Sequence, residues 1–212
     1  MNRVNVIGLG PGSAEYVTPA AVKLLKVSDV VIGGTRNLGM LDFVPELESI
    51  RFERYDITGR LEDAKSFIIA EMAEKRVSVI ASGDPGFYGI LGFLKRFLSV
   101  EEINVIPGIS SVQYMFAKIA MPWESARLGS IHGRSEDLTA LVSGGCAAFL
   151  TDNRESISSI AKRLSDSGFG ERKMYAGCNL SYPEEIIHSG SVDDFIAKEI
   201  DNRLCVVVIA DE

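Results

Sequence analysis

Runs of β-branched and aliphatic residues take turns with stretches whose apolar positions recur at helical spacing, and this rhythm governs the first half of the chain. Asn5-Val6-Ile7, Asp29-Val30-Val31-Ile32, Val77-Ser78-Val79-Ile80-Ala81 and Asn104-Val105-Ile106 read as strands. Between them Thr18 caps and Pro19 opens a helix through Lys26. Leu38 to Phe43 predicts a short helix, Ile50 to Phe52 a brief strand, and Leu61 to Glu74 and Ile90 to Leu98 two further helices. Ser110 to Ile119 predicts another helix, opened by a serine cap. Alternation of strand and helix in this manner implies a parallel sheet.

The rhythm changes at Ala120-Met121-Pro122-Trp123-Glu124, where proline interrupts a helix, and the sequence predicts two domains, residues 1–120 and 121–212. Beyond the boundary come a strand at Leu128–Ile131, a helix at Asp137–Val142, a strand at Ala147–Thr151 and a helix at Ser156–Ser165. Three further strands, Lys173–Ala176, Glu185–Ser189 and Leu204–Ala210, share a single helix, Val192–Lys198, which predicts a mixed sheet.

Composition narrows the function classes. With 46% hydrophobic and 24% charged residues the chain has the apolar content of an ordinary globular protein. A formal net charge of −7 argues against a nucleic-acid surface, so any anionic substrate must meet local arginines. No apolar stretch approaches the ~20 residues that span a bilayer, and no basic-then-apolar leader opens the chain, so a cytoplasmic location is expected. Cys146, Cys178 and Cys205 lie far apart without Cys-x-x-Cys spacing, which predicts reduced thiols and no disulfide. His132 and His188 are the only histidines, and no metal site is expected.

The chemistry sits at strand ends. Ser82-Gly83-Asp84-Pro85-Gly86-Phe87-Tyr88-Gly89 follows a strand, lacks any cation and lacks the Gly-Lys-Ser/Thr ending of a phosphate loop. Its one carboxylate, Asp84, suits a ligand with cationic or hydroxyl groups. Gly8-Leu9-Gly10-Pro11-Gly12-Ser13 approaches the dinucleotide fingerprint, but its third glycine comes one residue early and Pro11 removes an amide donor. Asp29 stands at the start of its strand, away from where a ribose would lie. Pro107-Gly108-Ile109-Ser110-Ser111 supplies a third glycine loop, and three such loops on one parallel sheet open on the same edge.

These three motifs, in order and spacing, resemble the tetrapyrrole methylases over almost the whole chain. Gly33-Gly34-Thr35-Arg36-Asn37-Leu38, Ile131-His132-Gly133-Arg134 and Asn179-Leu180-Ser181-Tyr182-Pro183-Glu184-Glu185 are similar to the branch that methylates C5 of precorrin-7 or cobalt-precorrin-7. Cys178 departs from the acidic residue usual before Asn-Leu in that branch. The resemblance implies a two-domain α/β fold with a mostly parallel first sheet, a mixed second sheet and an active site in the cleft between them. It also implies S-adenosylmethionine as methyl donor, S-adenosylhomocysteine as product, a corrinoid substrate, a homodimer, and a separate C15-methyltransferase and decarboxylase.

By the same resemblance Pro11, Ser82, Gly83, Asp84, Phe87, Ser110 and Ser111 contact the cofactor, joined by Leu150, Thr151, Gly177, Asn179 and Leu180. Arg36 and Arg134 are expected to pair with substrate carboxylates, because a guanidinium binds them bidentately. Tyr88 is a candidate for stacking on the macrocycle. His132 is a candidate for removing a proton or orienting a propionate. Two alternatives share these features: another member of the family, such as a diphthine synthase, and a sensor that binds S-adenosylmethionine without turnover.

Overall fold

A computed structural model describes residues 3–133, 136–200 and 204–211. In its first half lie β1 (Val4–Gly8), α1 (Pro19–Leu25), β2 (Val30–Gly33), α2 (Thr35–Met40), β3 (Glu53–Asp56), α3 (Leu61–Glu71), β4 (Val77–Ala81), α4 (Leu91–Leu94) and β5 (Ile103–Ile106). The second half holds α5 (Ser111–Lys118), β6 (Arg127–Ser130), α6 (Leu138–Val142), β7 (Ala147–Leu150), α7 (Ile157–Leu164), β8 (Lys173–Cys178), β9 (Ile186–Ser191) and β10 (Cys205–Ala210). Two compact units divide between Ser110 and Ser111 rather than after Ala120. The reason is that α5 lies against β7 and β10 and so groups with the second unit.

The first unit is one sheet of order β3-β2-β4-β1-β5 with every pairing parallel. Alternation along the strands sends Val4, Val6, Val30, Ile32, Val77 and Val79 to one face, beneath Ala64 and Ile68 of α3 and Phe93 and Leu94 of α4. Ile7, Val31 and Ile80 point the other way, toward Ala21 and Leu25 of α1 and Leu38 and Met40 of α2. Each such aliphatic side chain contributes about 2 kcal/mol when fully buried, and these two layers cover both faces of the sheet with helices. The chain leaves β1 for β2 on one side and leaves β4 for β5 on the other, with α1 and α4 on opposite faces. The carboxyl ends of β1 and β4 therefore form a topological switch point, where open α/β sheets place their ligands.

Three elements of the first unit differ from the sequence reading. The strand expected at Ile50 to Phe52 is instead Glu53–Asp56, an edge strand whose charged residues concealed it, while Ile50 and Phe52 pack beside the α2 layer. Helix α2 begins at Thr35, ahead of Leu38, because the Thr35 amide donates to Thr58 Oγ1 at 2.9 Å. The helix expected over Ile90 to Leu98 is α-helical only across Leu91–Leu94. Thr18 does cap α1, its hydroxyl accepting from Ala21 N at 3.2 Å. Asp29 is tied to Arg76 by two contacts of 2.6 and 2.9 Å, a structural ion pair before β2 rather than a ribose ligand.

The second unit is the mixed sheet that the sequence predicts, ordered β6-β7-β10-β8-β9, with β6 and β7 parallel and the remaining pairs antiparallel. Phe149, Ala176, Val207 and Ile209 face α6 and α7, which supply Leu138, Val142, Ile157, Ile160 and Leu164. Asp137 and Ser156 cap those helices, accepting from Ala140 N and Ser159 N at 3.1 Å each. The helix expected at Val192–Lys198 is a single 3-10 turn, Asp193–Phe195, anchored by buried Phe195.

The expectation of three free thiols is corrected. Cys178 and Cys205 form a disulfide with Cα atoms 4.1 Å apart. They lie 27 residues apart in sequence, but β10 runs antiparallel to β8 and sets Cys205 directly opposite Cys178. Spacing rules for local motifs do not see a pairing that sheet register creates. Cys146 remains a free thiol, and burial pushes its pKa up.

Candidate functional site

In the first unit backbone hydrogen bonds fasten the first glycine loop to the second. Leu9 N donates to Ala81 O at 2.9 Å, Gly83 N to Gly10 O at 2.7 Å and Gly10 N to Gly83 O at 3.3 Å. Gly10 and Gly83 have φ of +85° and +65°, which a side chain would strain. A Cβ on Gly8 would lie 2.5 Å from Gly108 N and 2.6 Å from Gly83 O, and one on Gly108 would overlap the Gly83 carbonyl. Gly8, Gly83 and Gly108 thus allow three loops to close on each other without side chains.

Asp84 completes the closure. Its Oδ1 accepts from Gly86 N at 2.7 Å and its Oδ2 from Gly108 N at 3.2 Å, so one half-buried carboxylate joins the second loop to the third. A carboxylate oxygen has a second lone pair, and each retains capacity for a further donor. Phe87 and Tyr88 meet edge to face with ring centroids 4.9 Å apart, and Tyr88 has φ +52°. Pro11 is buried in the first loop and Ser110 at the end of the third.

Arg36 comes to this edge from α2, its Nη2 lying 3.4 Å from Ser82 Oγ. The start of α2 is held by Asp56 at the end of β3, whose Oδ2 accepts from Thr35 Oγ1 at 2.6 Å and whose Oδ1 accepts from Thr58 N at 2.8 Å. Those bonds lower the Asp56 pKa to about 2, with the Thr35 hydroxyl the largest cause and the Thr58 amide next. Sequence reasoning missed Asp56, because nothing local marks an acid as the anchor of a helix that begins 21 residues earlier.

The second unit holds a cavity of about 460 Å³ lined by His132, Thr151, Asp152, Asn153, Asn179, Glu184 and Leu204. Thr151 N and Oγ1 both donate to Cys205 O, at 3.1 and 3.0 Å. Its own carbonyl lies 3.3 Å from His132 Nδ1. A carbonyl can only accept, so in this contact Nδ1 is the donor. Asp152, 8% exposed, accepts from Gly133 N at 2.8 Å and Arg154 N at 2.9 Å, and these amides hold its carboxyl below the ordinary range. Asp152 was also missed by sequence reasoning: its role depends on the Gly133 turn of another loop.

The predicted residues therefore fall into groups. Ser82, Gly83, Asp84, Phe87, Tyr88, Pro11 and Arg36 gather at the switch-point edge. Thr151, Asn179 and His132 share the second unit's cavity. Gly177 and Leu180 lie in the interior, where a Cβ on Gly177 would be 2.5 Å from Met115 Sδ and 2.7 Å from Leu180 Cδ2. Leu150 is half-buried in β7 beside Thr151, Ser111 opens α5, and Arg134 lies outside the described residues. Among the described residues no group of three or more His, Cys, Asp and Glu could hold a metal ion, and no helix is long and apolar enough to cross a membrane.

A parallel sheet with interlocked glycine loops at its switch point, followed by a mixed sheet with a polar cavity, defines a two-sheet α/β protein. Comparison with known proteins gives the family. The profile of the Tetrapyrrole (Corrin/Porphyrin) Methylases matches residues 3–196. The chain is 34% identical over 209 residues to the cobalt-precorrin-7 C(5)-methyltransferase of Salmonella typhimurium, covering 99% of each chain. Among solved structures, the precorrin-6Y methylase of Archaeoglobus fulgidus matches with a TM-score of 0.75 at 22% identity, over 99% of this chain and 98% of that one. The uroporphyrin-III C-methyl transferase of Thermus thermophilus, solved with S-adenyl homocysteine, matches with a TM-score of 0.74 at 19% identity, over 99% and 92%. The chain belongs to the tetrapyrrole methylases.

Proposed function

We propose that the protein transfers a methyl group from S-adenosylmethionine to C5 of precorrin-7 or cobalt-precorrin-7 in corrin ring synthesis. The observation that carries this reading is 34% identity over 99% of both chains to an enzyme of that activity. The loop chemistry agrees with it: Asp84, whose oxygens keep lone pairs for further donors, stands at the edge formed by Gly10, Gly83 and Gly108, which suits a ligand with an amine and hydroxyls. When bound, the cofactor supplies an electrophilic methyl group and needs no covalent link to the protein.

The chain's own task is then to position, to exclude water and to manage one proton. Pro11, Ser82, Gly83, Asp84, Phe87 and Ser110 of the first unit and Thr151 and Asn179 of the second are assigned to the cofactor. Ser111, Leu150, Gly177 and Leu180 are assigned to the cofactor with them, and Gly177 leaves room for the Met115 and Leu180 side chains packed against it. Arg36 is assigned to a carboxylate, Tyr88 to the macrocycle face. Methylation at a ring carbon that bears hydrogen releases a proton, and His132 Nε2 is the assigned acceptor. Asp152 positions it by holding the amide of Gly133, the residue that follows His132 in the chain. Likeness to the family extends the reading to a homodimer, which light scattering checks.

Incubation with methyl-labelled S-adenosylmethionine and cobalt-precorrin-7 should add one methyl to the corrinoid, read by mass and placed at C5 by NMR. Binding of S-adenosylhomocysteine with no label on the corrinoid would leave a non-catalytic sensor and end the reading.

A further inference from the structure

Cys178 and Cys205 join two segments that meet at the second unit's cavity. Cys178 is the last residue of β8 and Asn179 follows it with φ +50°; Cys205 is the first residue of β10 and Leu204 precedes it with φ +55°. Both turn residues line the cavity and neither is glycine; the left-handed conformation is one Asn179 adopts readily and one that the Leu204 side chain disfavours. The Cys205 carbonyl accepts both Thr151 donors, so a third cavity residue is fixed to the same point. Sheet ends are where ladders open first. Here a covalent bond closes the ladder at that end.

We propose that Cys178–Cys205 is a thiol–disulfide exchange site that sets the affinity of the neighbouring cavity, its reaction partner being a low-molecular-weight disulfide. The step balances: two protein thiols and one small disulfide give the protein disulfide and two small thiols, through a mixed disulfide on one cysteine. The protein pair is oxidised, the small disulfide is reduced, and the two thiol protons pass to the departing small thiolates. In the bridged form Asn179, Leu204 and Thr151 are held together. In the dithiol form the Cys178 and Cys205 ends of β8 and β10 part more readily, and the cavity spends less time in its binding shape. The sulfur-bearing residues are 4% and 2% exposed, so exchange in the native state proceeds through that opening and is slow.

The coupling to affinity rests on the assignment of Thr151 and Asn179 to the cofactor; the bridge itself does not. The test uses the full chain after incubation with oxidised glutathione or with dithiothreitol, read by iodoacetamide labelling and by calorimetry with S-adenosylhomocysteine. The oxidised protein should take one label, on Cys146, and the reduced protein should take label on all three cysteines. If the cavity is competent a tenth of the time once reduced, the reduced form binds about tenfold more weakly. A Cys178→Ser, Cys205→Ser double variant should match the reduced form and ignore dithiothreitol, while Cys146→Ser should behave as the wild type. Labels on all three cysteines after oxidation would overturn the exchange site. Equal affinity of the oxidised and reduced wild type would overturn its control of the cavity. Absence of S-adenosylhomocysteine binding in either state would overturn both that control and the cofactor reading, with the label count still deciding the bridge.

Discussion

At the end of β4 the first unit closes its loops with peptide groups, absent side chains and the one carboxylate of Asp84, whereas the second unit walls its cavity with His132, Thr151, Asp152 and Asn179. The two regions fail in different ways. An edge built from interlocked backbone cannot yield locally, so a change there spreads into the fold. A cavity built from side chains on a mixed sheet can lose one group and keep its shape, so a change there should appear in chemistry before it appears in stability.

The largest expected effect tests the backbone edge. Gly108→Ala sets a methyl against the Gly83 carbonyl, and neither backbone has room to move, so a loss of about 3 kcal/mol is expected in urea unfolding. A loss well under about 1 kcal/mol would mean that the loops part easily and would erase the contrast. On the other side, His132→Gln should lower kcat about a hundredfold, with the melting temperature and S-adenosylhomocysteine affinity unchanged. An affinity loss as large as the kcat loss would make His132 a binding residue.

Asp84→Ala lies between these regimes, because it is both a loop tie and an assigned cofactor contact. It should cost about 1 kcal/mol of stability through the two orphaned amides and weaken S-adenosylhomocysteine binding more than that stability loss explains. Unchanged affinity by calorimetry would leave Asp84 as a tie alone.

The smallest effect concerns Asp56. Its folded pKa of about 2 lies below the ordinary value of 3.8, so its contribution is present above pH 4 or so and is lost as pH falls through about 2. The melting difference between wild type and Asp56→Asn should therefore be greatest near neutrality and vanish toward about pH 2. A difference independent of pH would assign the Thr35 and Thr58 bonds no dependence on charge.

The same contrast explains what could be read from the chain. Val77–Ala81 and its glycine loop were visible because a buried strand and a positive-φ turn each demand particular residues at adjacent positions. The mixed second sheet was visible from its run of strands. Asp56 and Asp152 were not, since each acts on an amide or hydroxyl brought near by the fold, 21 and 19 residues away. The Cys178–Cys205 bridge belongs with them: it is a product of register between β8 and β10. Strand β3 was misplaced for the opposite reason, since an edge strand carrying Glu53 and Arg54 shows no apolar run.

Gly8, Gly83 and Gly108 carry a consequence for genetics. Their side-chain-free contacts are with one another, so substitution at any of them would be purged by selection for a folded chain alone. A descendant that had abandoned its ligand would still need all three. Intolerance at these codons in a mutational scan would report on the closure of the loops, and the positions whose tolerance tracks growth dependence on the reaction itself would be Arg36, His132 and Asn179.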